Sequence, residues 1–240
     1  MKITVFNGSP RGKRGNTHIM VKEFSKGVKE AGGVIENIFL IKKEIKPCLG
    51  CFDCWFKRPG KCIIEDDMDE LLSKFLSSDI VVFATPIYID NLTGIMKNFM
   101  DRLISIIDPH FERDETGECR HTKRFKKYPK FVVISNCGYP EQSHFQVLNM
   151  LFKRAARNMH SEVIAEIYRG GGWLLKTSLL TESFILKYKK LLREAGKEIV
   201  KNLSLSKKTI SELKKPIISV DDFIEFANKN CDKLLSRIKI

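Results

Sequence analysis

Residues 3–17 read ITVFNGSPRGKRGNT, a short apolar run that passes straight into a glycine, serine and arginine loop and then into helical pattern. A strand, a tight loop and a helix in that order open a βαβ unit. Backbone N–H groups at the helix start, the hydroxyls of Ser9 and Thr17, the Asn16 amide and the Arg11 charge would together satisfy a phosphate monoester. The stretch has neither the G-x-x-x-x-G-K-[ST] spacing of a nucleoside-triphosphate loop nor the G-x-G-x-x-G of a dinucleotide fingerprint. Alone, it also reads as a generic glycine turn, so the rest of the chain has to decide.

Working outward, apolar runs of strand length recur at 34–40, 80–84, 131–134 and 163–167. Several are continuously apolar rather than alternating, as strands buried on both faces of a parallel sheet are. Helical periods lie between them. Met68, Leu71, Leu72, Phe75 and Leu76 form one stripe behind Asp66 and Asp67, which suit a helix start. Ile95, Met96, Phe99, Met100, Leu103, Ile104 and Ile107 form a second, and Phe145, Leu148, Phe152 and Ala156 a third. Five strands separated by helices predict an α/β, doubly wound sandwich around a parallel sheet. Residues 108–130 break the rhythm, and a connection of that length reads as a functional or interface element. Helical patterns at 184–203 and 221–238 follow, the second behind the capping-box-like SVDD. The expected division is a main domain over 1–203 with a C-terminal helical extension over 204–240 that is not an independent domain.

The composition narrows the classes. At 240 residues the chain can bury a full core, and no apolar run reaches the ~20 residues that span a bilayer. The opening MKITVFNGSP lacks the features of a signal peptide, so a cytoplasmic location is expected. A net charge of +13 raises nucleic acid as a partner, but the Lys and Arg are strewn among Glu on helix surfaces without an aromatic-studded stripe, which speaks against it.

In open α/β sheets ligands bind beyond the carboxyl ends of the strands, so the loops that follow strands carry the chemistry. After the third strand comes ATPIYIDNLTG, where Pro86 and Tyr88 offer backbone and a flat ring to a planar ligand. After the fourth comes SNCGYPEQSH, with Gly138 permitting close backbone approach. YRGGGW follows the fifth, where Trp173 either packs on a neighbouring loop or edges a cofactor. The histidines do not cluster, and His18 and His144 read as surface or cap-adjacent groups, so no catalytic acid or base is named.

CLGCFDCWFKRPGKC places Cys48, Cys51, Cys54 and Cys62 within fifteen residues. Overlapping C-x2-C steps suit three corners of a cubane better than one tetrahedral zinc, and free thiols are the open alternative. Cys119, Cys137 and Cys231 are isolated and read as incidental thiols.

GSPRGKRGNT, ATPIY and SNCG, in that order and at those separations, resemble the flavodoxin-like NAD(P)H-dependent FMN reductase family. The cysteine stretch resembles that of its iron–sulfur flavoprotein branch, with a last gap at the long end of the pattern. The resemblance implies a flavodoxin-like five-stranded sheet of order 2-1-3-4-5 with helices on both faces. It implies FMN phosphate on Ser9, Arg11, Asn16 and Thr17, and the flavin ring flanked by Pro86, Ile87, Tyr88, Asn136, Cys137 and Gly138. The activity it implies is an oxidoreductase that takes hydride from NAD(P)H and passes electrons to a quinone, a flavin or another small acceptor. An iron–sulfur or flavodoxin-type carrier, exchanging electrons with a ferredoxin-like partner through a [4Fe–4S] cluster on the four cysteines, is the alternative. Homodimers or homotetramers are expected.

Overall fold

A computed structural model describes residues 1–176 and 182–237; Ile238, the expected end of the last helix, lies outside them. In chain order the elements are β1 (Lys2–Asn7), α1 (Asn16–Glu30), β2 (Val34–Phe39), α2 (Asp53–Phe56), α3 (Met68–Leu76), β3 (Ile80–Pro86), α4 (Gly94–Arg102), β4 (Ile107–Arg113), β5 (Cys119–Lys123), β6 (Lys130–Asn136), α5 (Gln146–Asn158), β7 (Val163–Arg169), α6 (Glu182–Asn202), α7 (Lys207–Lys214) and α8 (Val220–Leu235).

The five expected strands pair in parallel in the order β2-β1-β3-β6-β7. This is the doubly wound 2-1-3-4-5 order of the flavodoxin-like fold, with an antiparallel hairpin, β4–β5, inserted between the third and fourth sheet strands. The continuous apolar runs are explained by burial on both sides. On β3, Val81 and Phe83 face a cluster with Phe6, Phe75, Phe99, Phe131 and Phe152 under α3, α4 and α5. Ile80, Val82 and Ala84 face the opposite cluster, where Met20, Phe24, Leu192 and Ile199 come from α1 and α6. Phe83 is fully buried, and truncating such a ring costs about 3–5 kcal/mol. Helices α1 and α6 touch backbone to backbone. A Cβ at Gly27 would lie 1.8 Å from the Arg193 carbonyl oxygen, and one at Gly196 would lie 2.2 Å from that of Phe24.

Two expectations change. The apolar pattern that suggested one helix from Ile95 to Ile107 divides: α4 stops at Arg102, a 3-10 turn covers Leu103–Ile106, and Ile107 opens β4. Pro109 holds Asp108 extended, which a helix cannot accommodate. The C-terminal segment contains an extra helix, α7, started by the Ser206 hydroxyl, which accepts the Thr209 N–H at 3.1 Å, and its Leu213 joins the core. No helix among the described residues is long and apolar enough to cross a membrane.

The register sets the ends of the central strands level: Asn7 lies beside Ala84, Pro86 beside Asn136, and Asn136 beside Arg169. Everything downstream of those residues emerges on one rim.

Candidate functional site

The loop between β1 and α1 folds back on itself through backbone bonds from Gly12 to Ser9 and from Gly15 to Gly12. Gly12 sits at φ +51°, and a Cβ at Gly15 would come within 2.4 Å of Ser9 Oγ, so the loop closes only with glycine at both places. Helix α1 begins at Asn16 behind Gly15, an N-cap residue that has no side chain to cap it with. Its first-turn N–H groups therefore face the loop with the positive end of the helix dipole behind them. Ser9 and Thr17 are buried there, and Asn16 Oδ1 is buried without a partner among the described residues. Lys176 reaches the same place from the far side and donates to the Arg14 carbonyl. Burial, then Arg11 and Arg14, hold this lysine below its ordinary pKa. Cations gathered round an uncapped helix start suit a phosphate.

The neighbouring loops are tied to this one. Gly8 N–H donates to the Ala84 carbonyl at 2.8 Å, and Thr93, the N-cap of α4, donates its hydroxyl to the Gly8 carbonyl at 2.7 Å. Ile87 N–H donates to the Asn136 carbonyl at 2.9 Å, and the Asn136 amide donates to Thr17 Oγ1 at 2.7 Å. Tyr88 and Asn91 pair across a two-residue turn with Ile89 and Asp90 at φ +47° and +54°. Cys137 Sγ donates to the Tyr139 carbonyl, and burial pushes the thiol up to about 11. A Cβ at Gly138 would have open space in front of it.

These ties gather Ser9, Arg11, Asn16, Thr17, Pro86, Ile87, Tyr88, Asn136, Cys137 and Gly138, all ten residues expected from the sequence, around one cleft of about 140 Å³, and Trp173 joins them. The cleft is polar and cationic at the α1 end and flat and apolar at the other. The glycine loop before Trp173 packs on the neighbouring loop at Tyr139 and Pro140, and Trp173 itself lines the cleft. Sequence reasoning missed Asn7, Thr93 and Lys176. Asn7 is fully buried and its Oδ1 accepts the Ser9 N–H, an Asx turn legible in retrospect from N-G-S. His18 and His144 stay outside the cleft lining; His144 stacks on Tyr139 at 4.2 Å, and His18 is held low by burial, then by Lys22 and Lys13.

The four clustered cysteines share a separate cavity of about 60 Å³ with Arg102, Ile104 and Ser105. Cys48 and Cys51 are exposed, Cys54 is buried and Cys62 lies between. Among the described residues no group of three or more His, Cys, Asp or Glu side chains is drawn together closely enough to hold a metal ion. Arg102, almost wholly buried, forms a two-pronged bond to Asp66 at 2.6 and 3.1 Å and donates to the Lys46 carbonyl at 2.8 Å. Asp66 is thus more than the helix starter expected. Burial works against its charge, but Arg102 and the N–H groups of Lys46 and Met68 hold its carboxyl below the usual range. Burial, then Cys62, raises the Cys54 thiol. A segment that follows β2, which lies parallel beside β1, should emerge on the same rim as the β1–α1 loop. The cysteine loop does leave β2 there, but the cavity is set against Arg102, the last residue of α4, whereas Thr93, the N-cap of that helix, is bonded to Gly8 in the loop that enters the cleft. Nine residues of helix separate the two places, roughly 13 Å at 1.5 Å per residue.

Similarity to known proteins follows the same outline. A chain of known structure, an FMN-dependent NADH-azoreductase from Bacillus anthracis in complex with FMN, superposes with a TM-score of 0.62 at 19% identity, covering 82% of this chain and 98% of that one. An NAD(P)H:quinone oxidoreductase from Methanothermobacter marburgensis gives 0.58 at 14%, covering 83% and 97%. At such identities they establish the shared fold. By sequence, an iron–sulfur flavoprotein of Methanocaldococcus jannaschii is 40% identical over 42% of this chain and 51% of its own length. One from Archaeoglobus fulgidus is 35% identical over 59% and 58%. The chain thus spans about half the length of these relatives. The NADPH-dependent FMN reductase family model matches residues 1–166, which takes in β1, the cleft loops after β1, β3 and β6, and most of β7. With the sheet order, the rim loops and this match in agreement, the chain belongs to the NADPH-dependent FMN reductase family.

Proposed function

We propose that the chain is an FMN-dependent oxidoreductase that draws hydride from NAD(P)H and passes electrons to a small acceptor such as a quinone, a free flavin or an azo compound. The observation that carries this reading is the single cleft with a cationic, uncapped helix start at one end and a flat, Tyr- and Pro-walled slot at the other. Bound FMN supplies the hydride acceptor and the electron store. The chain's residues do the holding. Ser9, Thr17, Asn16, Arg11 and Lys176 take the phosphate and the adjoining hydroxyls, the unpartnered Asn16 Oδ1 suiting a hydroxyl donor. Pro86, Ile87 and Tyr88 wall one side of the ring, and Asn136, Cys137 and Gly138 the other. Tyr88 is half exposed, which leaves room for a nicotinamide or an acceptor beside it. Cys137 is neutral at physiological pH and serves as packing rather than as a nucleophile. Titrating the protein with FMN, then adding NADH or NADPH with excess quinone, tests the reading: quenched flavin fluorescence and acceptor-dependent turnover are expected, and a folded protein that leaves FMN free ends it.

A second reading rests on the four cysteines that share one cavity above the buried Arg102. A [4Fe–4S] cluster would need the four thiols drawn closer together than the described residues hold them, and Arg102 beside them is already paired with Asp66. A ferredoxin-like protein as the electron partner belongs to this reading. Iron and acid-labile sulfide in anaerobically isolated protein favour this reading, and flavin absorbance alone removes it. We also propose a cytoplasmic homodimer or homotetramer, with residues 1–203 as the flavin domain and 204–240 as its extension. Sedimentation of the full chain tests the assembly.

A further inference from the structure

The loop after β7 is pressed between two parts of the molecule. On one side it lies against the cleft wall: Gly171 N–H donates to the Tyr139 carbonyl at 2.6 Å and Gly172 N–H to that of Cys137 at 2.8 Å. A Cβ at Gly170 would stand 2.2 Å from the Pro140 carbonyl oxygen, and one at Gly172 would stand 2.6 Å from Asn136 Oδ1, so side chains here would lift the loop off the wall. The loop ends in Trp173, whose indole lines the cleft.

On the other side stands the C-terminal extension. Phe226 of α8 lies parallel to the indole, 2° between planes and 5.6 Å between centroids, and Phe223 meets it at 5.3 Å. A second tie comes from Arg169, the last residue of β7. Its buried guanidinium donates to the carbonyls of Leu213 and Lys215 at the end of α7, where a cation also complements the helix dipole, and lies 4.1 Å over the Tyr188 ring. The Arg169 carbonyl accepts the Cys137 N–H at 3.1 Å, so the residue that grips the extension also braces the cleft loop.

We infer that the C-terminal extension is a working part of the cleft: Phe226 and Phe223 hold the Trp173 indole at its edge, where the indole covers bound flavin, so residues past the family-matched region set how tightly the cofactor is held. The inference rests on the FMN reading. Phe223 and Phe226 are positioning residues; Trp173 is the group that meets the ligand.

The test uses the full chain with Trp55→Phe, which leaves Trp173 as the sole indole. Phe226→Ala is expected to raise acrylamide quenching of Trp173 about twofold and to weaken FMN binding about five- to tenfold, the size of one aromatic pair. Phe226→Tyr restores both. A merely structural role would lower the melting temperature of Phe226→Ala while leaving quenching and FMN affinity unchanged, and that result overturns the inference. Should Phe226→Ala not fold, Trp173→Leu keeps the extension intact and is expected to weaken FMN binding to the same degree; unchanged affinity there also overturns it. The two readings fail separately. Parent protein that binds no FMN removes the functional reading, whereas parent and variants that bind it equally remove only the role of the extension.

Discussion

The cleft gathers side chains from loops far apart in the sequence, whereas the cysteine cavity sets one fifteen-residue stretch of cysteines against Arg102, and the two are built in different ways. The cleft's walls are continuations of β1, β3 and β6, and those strands are locked in register by backbone bonds, so the walls cannot shift without breaking the sheet. The cysteine loop runs from β2 to α3 with the four-residue α2 as its regular structure, and side chains hold it: Asp66 on Arg102, Asp67 on the Glu44 N–H, and the Trp55 indole on the Ile104 carbonyl. The first site is organised by the fold, whereas the second is tethered to it. A tethered loop can be drawn together by a group that binds it, since ligand binding and local folding share one free energy.

The largest effect should come from cutting the tether. Asp66→Asn leaves Arg102 buried and uncompensated, and is expected to cost about 3–5 kcal/mol in urea unfolding. Folded-state stabilisation of the Asp66 charge lowers its pKa, so the parent protein keeps this contribution above the unfolded value near 3.8 and loses it as pH falls through the lower folded value. The variant's stability should therefore fall less over that acid range. FMN binding by the fraction that remains folded should be unaltered; a large loss there would show that the two sites are not independent.

Damage to the other side of the comparison should be smaller and confined to the cleft. Gly15→Ala drives a methyl into Ser9 Oγ and should weaken FMN binding about tenfold or more, roughly 1.4 kcal/mol, in a flavin fluorescence titration, with thiol reactivity of Cys48 and Cys51 unchanged. Lys176→Ala should weaken it less, and its deficit should shrink as salt is raised, because a screened charge is being removed.

Trp55→Phe removes one indole hydrogen bond from the tethered loop and should cost about 1 kcal/mol. Alkylation at pH 8 sharpens the contrast with little effect on stability. Exposed Cys48 and Cys51 should react within minutes while Cys137 stays unmodified, as peptide mapping would show. Its thiol pKa is raised on folding, so its contribution is complete below pH 9 and is lost as pH rises towards about 11; Cys137→Ala should remove part of that alkaline loss.

Ser9, Arg11, Pro86, Tyr88 and Gly138 were legible because they follow closely on apolar runs whose ends parallel strands deliver to one rim, Asn16 and Thr17 because they open the next helix, and Ile87, Asn136 and Cys137 through the family resemblance alone. Lys176 was not, since it meets the β1–α1 loop 162 residues from Arg14 in the chain and no local pattern marks it. Thr93 lies in the same loop sequence without a mark of its own, and only the packing of α4 on β1 lets its hydroxyl hold the Gly8 carbonyl. The break in the expected helix at Arg102 was half visible in Pro109, but the reason for a buried arginine there is Asp66, which comes from another loop.

By itself the sequence determined the strand runs, their parallel order through the family resemblance, and which loops carry polar and glycine residues, because these depend on local period and on the geometry of chain reversal. Tertiary structure alone decided that Trp173 joins the cleft, that Lys176 meets the loop after β1, that the cysteines sit at the far end of α4, and that α8 packs on the indole. Those are contacts between faces brought together by burial, and burial sums over the whole chain rather than over any window of it.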